Sequence, residues 1–148
     1  MFMTIVGPKT IMLAKPDYSL LNDDTHMDNP ELENDLNLIR DKLKSKGFEV
    51  IRNSVPIFKA ENGEERIAFY NNCLVEVNKH GKNIQSRKVW LPKFETSWSE
   101  LKGFDESNKQ TWKNLEFEFE VEFIDSDFKE IVSQDGVIHC LTKTLFRK

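Results

Sequence analysis

The chain has 148 residues, of which 39% are hydrophobic, 31% charged and 11% aromatic, so it is long enough for one domain burying roughly two-thirds of its unfolded surface. Eleven Phe and three Trp exclude a disordered polypeptide, and a formal net charge of −4 excludes a broad basic footprint for nucleic acid. No apolar run approaches the roughly 18 residues that a membrane helix needs. The opening MFMTIVGPKTIML has no basic n-region and is broken by Gly7, Pro8 and Lys9, so it does not read as a signal peptide. Two cysteines, Cys73 and Cys140, are too few for a secreted disulfide framework and point to a reducing, cytoplasmic setting.

In chain order, residues 2–6 and 10–14 are short β-branched apolar runs joined by Gly7-Pro8-Lys9 and predict a hairpin. Residues 15–29 are polar and turn-forming, which predicts a surface loop. A helix follows. Asn29 suits its N-cap, Pro30 its first position, and Glu31 and Glu33 the positive end of its dipole. Leu32, Leu36, Ile39 and Leu43 form one apolar stripe, and Gly47 suits a left-handed C-terminal cap. Residues 48–51 predict a strand and 59–66 (KAENGEER) a loop. Residues 67–77 and 88–91 predict two strands joined by a polar linker at 78–87 that contains Gly81, and 106–115 a second helix. Residues 116–124 (EFEFEVEFI) alternate strictly, with Phe117, Phe119, Val121 and Phe123 on one face and four Glu on the other. A short amphipathic turn at 128–132 leads through Asp135-Gly136 into a last strand at 137–142. A strand–strand–helix–strand unit therefore occurs twice, as a pattern of elements without a repeated sequence.

Cys140 stands on that last strand, just after a turn, in GVIHCLT. On its own a strand cysteine behaves as a small buried hydrophobe, because reactivity needs a microenvironment that sequence does not display. The segment VEFIDSDFKEIVSQDGVIHCLT (residues 121–142), however, resembles the end of the agmatine deiminase and bacterial peptidyl-arginine deiminase family, within the guanidino-group-modifying pentein superfamily. There a strand, an Ile-Asp turn, a short helix and a Gly-x-Ile-His-Cys-x-Thr strand close the domain. Tyr70-Asn71-Asn72-Cys73-Leu74-Val75 is similar to the family's Tyr-x-Asn-Ser strand, and Val89-Trp90-Leu91-Pro92-Lys93-Phe94 to its Val-Leu-Pro-aromatic strand. The likeness runs over nearly the whole chain.

The resemblance implies an α/β fold that is part of a pseudo-fivefold pentein propeller, with residues 1–148 as a single C-terminal part of about two units. It implies a cysteine thiolate that attacks a guanidinium carbon, releases ammonia and is freed by hydrolysis of a thiouronium, without metal or cofactor. Carried over by position, Cys140 matches the nucleophile and Asn72 the active-site Asn that orients substrate, while Cys73 replaces the family's Ser. The family's His-x-Asp pair sits immediately before the hydrophobic hairpin, and here only Met1 precedes it. The expectation is therefore a deiminase-family fragment, inactive alone, acting on agmatine or peptidyl-arginine when completed by the upstream part. A non-catalytic binding or scaffolding module on the same fold is the alternative. Expected partners are a guanidino small molecule or arginyl peptide and a complementing chain or second copy, with no nucleic acid and no membrane.

Other candidates carry less. His26-Met27-Asp28 has the His-x-Asp spacing but runs into Asn29-Pro30 and a helix, which reads as a solvated loop. His139 alternates to the opposite face from Cys140, and His80 lies in a polar linker. Glu116, Glu118, Glu120 and Glu122 could attract a cation but read as the solvated face of an edge strand. The three His and two Cys have no metal-ligand spacing, and no Gly-rich phosphate loop occurs.

Overall fold

The computed structural model describes residues 2–21 and 30–132. Cys140, His139 and the expected strand at 137–142 lie outside the described residues, as do His26, Asp28 and Asn29. Within them the order is β1 (Met3–Ile5), β2 (Thr10–Asp17), α1 (Pro30–Ser45), β3 (Glu49–Lys59), β4 (Glu65–Ile67), β5 (Leu74–His80), β6 (Asn83–Lys93), α2 (Lys102–Lys113), β7 (Glu120–Asp125) and α3 (Lys129–Val132). Two 3-10 turns, Phe94–Thr96 and Ser99–Leu101, lead from β6 into α2.

A four-stranded sheet runs β1-β2-β3-β4 and a three-stranded sheet β5-β6-β7. Each holds the expected unit: an antiparallel hairpin whose second strand pairs in parallel with the strand beyond a helix. In the first, Met3 pairs with Leu13, and Thr10 through Asp17 align with Glu49 through Pro56. In the second, Val75 pairs with Val89, and Lys88 through Lys93 align with Glu120 through Asp125. A parallel neighbour requires a crossover, and α1 and α2 supply it.

The apolar run of β2 follows from its place. Ile11, Met12, Leu13 and Ala14 are all buried, because the strand is paired on both sides and covered on both faces. Leu13 packs with Leu36 of α1 and Val55 of β3, whereas Met12 packs with Cys73, Val89, Leu91 and Trp112 of the second unit. Helix α1 ends as its sequence predicts. Gly47 takes φ +82, its N–H bonds Lys44 O at 2.9 Å, and Phe48 N–H bonds Leu43 O at 3.2 Å.

Several boundaries differ from expectation for physical reasons. β2 continues through Lys15-Pro16-Asp17, and β3 runs on past Pro56 to Lys59. The stretch 67–77 is not one strand, since 68–73 turns between β4 and β5. The polar linker 78–87 is largely strand: β5 and β6 extend toward each other, reversing at Gly81 with φ +62. α2 starts at Lys102, ahead of the expected 106. β7 begins only at Glu120, because Glu118 adopts φ +50 and breaks the extended run. Of the α1 stripe, Leu36 is buried but Ile39 is exposed.

Gly7, in the β1–β2 turn, lies directly against Phe117 of the second unit. A Cβ there would sit 2.3 Å from Phe117 Cζ. Gly7→Ala is expected to lower unfolding free energy by about 1–3 kcal/mol through overpacking, and Phe117→Leu on top of it to recover most of that loss, as read by urea denaturation. Equal destabilisation with and without Phe117→Leu would show that the two residues do not meet.

Candidate functional site

The turn Ala68-Phe69-Tyr70-Asn71-Asn72-Cys73 is the most heavily buried polar stretch described. Tyr70, Asn71, Asn72 and Cys73 are all essentially inaccessible. It is held by its own backbone, with Asn72 N–H to Phe69 O at 3.0 Å, and by Ala68 N–H to Pro56 O at 3.1 Å. Buried amides need partners. Asn71 donates both side-chain N–H groups, to Phe2 O and to Met12 O, each at 3.1 Å. Thr4 Oγ1 returns a bond to Asn71 O at 2.6 Å. The turn of the second unit thus grips both strands of the first unit's hairpin.

On either side of Asn71 the chemistry differs. Tyr70 OH donates to Asp105 Oδ1 at 2.5 Å, and Asp105 also accepts from Phe94 N–H at 3.1 Å and Glu95 N–H at 2.9 Å. Burial pushes the Asp105 carboxyl above its usual range while those donors pull it back, and burial beside Asp105 pushes the Tyr70 phenol up. With its oxygens occupied by the 3-10 turn and the phenol, Asp105 is built to fix the entry into α2. A second buried pair lies further along α2: Asn53 Nδ2 donates to Asn108 Oδ1 at 2.9 Å, and Asn108 Nδ2 to Ser54 O and Phe104 O at 3.0 Å each.

Cys73, where the resemblance replaces a Ser, packs among Val6, Met12 and Val89, with Thr4 Oγ1 3.9 Å from its sulfur. Burial pushes its thiol up to about 12, so at neutral pH it is a protonated core group. Asn72, the expected substrate-orienting residue, is inaccessible in the turn between β4 and β5, beside Cys73. Cys140, with which it was expected to share a site, lies outside the described residues.

His80 ends β5, next to the hairpin turn. The glutamate row divides: Glu120 and Glu122 of β7 both pair with Lys88 of β6, at 3.1 and 3.7 Å, while Glu116 and Glu118 precede the strand. Among the described residues no group of three or more His, Cys, Asp or Glu is arranged to hold a metal ion, and no helix is long and apolar enough to cross a membrane.

Sequence reading missed Asp105, Asn108 and the clamping role of Asn71. A signal existed for the first two. Leu101, Asp105, Asn108, Trp112 and Leu115 recur at steps of four, three, four and three, which is a buried stripe with polar residues at core positions.

No protein-family profile and no curated protein matches the sequence. Solved structures do match. Agmatine deiminase of C. jejuni superposes with a TM-score of 0.60 at 16% identity, covering 94% of this chain and 34% of that one. A cysteine-to-serine variant of the C. jejuni enzyme with substrate bound gives a TM-score of 0.56 at 15% identity, covering 93% of this chain and 34% of that one. This chain spans about a third of the length of those structures. The fold is agmatine deiminase-like, a partial pentein propeller built from two strand–strand–helix–strand units.

Two outcomes follow from the seam. Asn71→Ala removes the amide donor from Met12 O in the core and from Phe2 O, which keeps its bond from Ala14 N–H, and is expected to cost about 1–3 kcal/mol by urea unfolding. Iodoacetamide at pH 8 is expected to leave Cys73 unmodified in the folded chain and to alkylate it in urea, read by peptide mass spectrometry. The folded thiol titrates near 12 against an ordinary value of 9.0, so its contribution is complete below pH 9 and is lost as pH rises toward 12.

Proposed function

We propose that this chain is the nucleophile-bearing part of a guanidino-group hydrolase, a deiminase whose Cys140 attacks the guanidinium carbon of agmatine or of a peptidyl-arginine. The observation that carries this reading is the superposition of 94% of the chain on agmatine deiminase. The GVIHCLT ending supports it from the sequence side. The second neighbour is a cysteine-to-serine variant with substrate bound.

In the proposed step the Cys140 thiolate adds to the guanidinium carbon and one C–N bond breaks. The departing amino group takes a proton and leaves as ammonia, and the thiouronium carbon remains bonded to sulfur. Water then adds to that carbon and the C–S bond breaks, giving a ureido product and the free thiol. Proton transfer needs a general acid/base, and the substrate cation needs carboxylates around it. Parts of the fold outside the third of the solved enzymes' length that this chain spans would supply them. Asn72 would orient the substrate or the intermediate through its amide. Asn71, Asp105 and Cys73 keep the seam closed beneath it, and buried Cys73 does not compete as a nucleophile.

The test combines labelling with turnover. A haloacetamidine is expected to modify Cys140 and to spare Cys73. The chain alone is expected to release no ammonia from agmatine. Supplied with a polypeptide carrying the missing propeller units and a His-x-Asp pair, it should release ammonia, and Cys140→Ser should abolish that release. Labelling of Cys73 as readily as Cys140 overturns the site. A complemented chain that releases no ammonia from agmatine, free arginine or an arginyl peptide overturns the enzyme reading and leaves the binding module.

A further inference from the structure

Away from the seam, on the α1 side of the first sheet, two guanidinium groups converge on a single neutral acceptor. Arg52 of β3 donates through Nη1 to Asn37 Oδ1 at 2.9 Å, and Arg40 of α1 donates through Nη1 to the same oxygen at 3.1 Å. Arg40 also reaches its neighbour Asp41 through Nε at 2.7 Å and is one-third exposed. Arg52 is half-buried, and its remaining edge is unspent: Nε and Nη2 are inaccessible and have no hydrogen-bond partner among the described residues.

That edge matters because Nε–H and Nη2–H point in parallel and form the fork that grips a carboxylate or phosphate with two bonds. A guanidinium withdrawn from water with its fork empty is costly unless an anion meets it. No carboxylate among the described residues hydrogen-bonds Arg52. Glu33, one turn before Asn37 on α1, acts on it only through space, and Arg40 repels it. Burial, and then that repulsion, hold the Arg52 guanidinium below its usual range.

We propose that Arg52, Arg40 and Asn37 form an oxyanion-binding site between α1 and β3: a carboxylate or a phosphate enters beside the part-exposed Arg40 and parts α1 from β3 to reach the Arg52 fork, which is closed off in this structure. Asn37 is the positioning residue: its one oxygen orients both guanidinium groups and leaves the Arg52 fork unspent, while Arg40 keeps its Nε on Asp41. The site is separate from the proposed Cys140 chemistry and stands whether or not that reading holds.

Thermal unfolding of the full chain in sodium phosphate, sodium acetate and sodium chloride at matched ionic strength tests it. Phosphate or acetate should raise the melting temperature saturably and chloride should not. Which of the two saturates first assigns the site to phosphate or carboxylate chemistry. Arg52→Lys keeps the charge but loses the fork and should weaken apparent affinity about tenfold, the scale of one charge-assisted bond. Arg40→Gln, on the more exposed side chain, should weaken it without disturbing the fold, judged by far-ultraviolet circular dichroism, while Lys82→Gln in the β5–β6 turn changes nothing. Shifts that track ionic strength alone, or that are equal in the chain and in Arg40→Gln, overturn the proposal.

Discussion

The two units of this protein are held in one body by an amide. Asn71 sits on the turn that opens the second unit, yet both of its N–H donors are spent on carbonyls of the first, Phe2 and Met12. Phe2 O also accepts Ala14 N–H at 2.7 Å, so one carbonyl joins the hairpin ladder and the clamp. Because these groups are removed from water, the bonds are obligatory. Everything apolar at the seam then closes over them: Met12 against Cys73, Val89 and Trp112, and Gly7 against Phe117. Bare β-branched hairpins could slide on one another, whereas an amide with two fixed acceptors allows a single register.

The same constraint explains the character of the neighbouring side chains. Tyr70 and Asp105 lock the turn to the start of α2, and Asn53 with Asn108 lock α2 to β3. These polar groups are core members with their capacity directed at structure. Cys73 belongs with them, its thiol held protonated by burial. The economy is incomplete: Asn71 Oδ1, Asn53 Oδ1 and Trp112 Nε1 are buried without a hydrogen-bond partner among the described residues, and so is the charged fork of Arg52.

Much of the fold was legible in the sequence. The strand alternation from Glu120 onward, the buried Leu36 of the α1 stripe and the Gly47 cap each follow from a local period or a backbone preference, whereas Glu118 breaks the run before it and Ile39 of the stripe is exposed. The failures share a cause. Lys15-Pro16-Asp17 and the stretch through Pro56 look like loop in a local window, but their strand character comes from pairing with each other across the parallel ladder. Residues 68–73 look like strand because Ala68, Phe69, Tyr70 and Cys73 are apolar or aromatic, but they form the buried turn that links the two sheets. Helix α2 begins early because Asp105, tied to the 3-10 turn before it, fixes the helix start ahead of Gly103's weak propensity.

For the site the division falls differently. The sequence alone put Cys140 and Asn72 forward, through a motif, and local chemistry was enough to read the glutamate row as a solvated face, where Glu120 and Glu122 pair with Lys88. It also fixed the pair of strand–strand–helix–strand units, because hairpin turns, helix caps and apolar periods are properties of neighbouring residues. Only the tertiary structure decided that Asn71 is a clamp, that Asp105 and Cys73 are sealed, and that Arg52 meets Arg40 at one oxygen. Those outcomes depend on which distant groups share a volume without water, and nothing within reach of a residue's own neighbours along the chain carries that information.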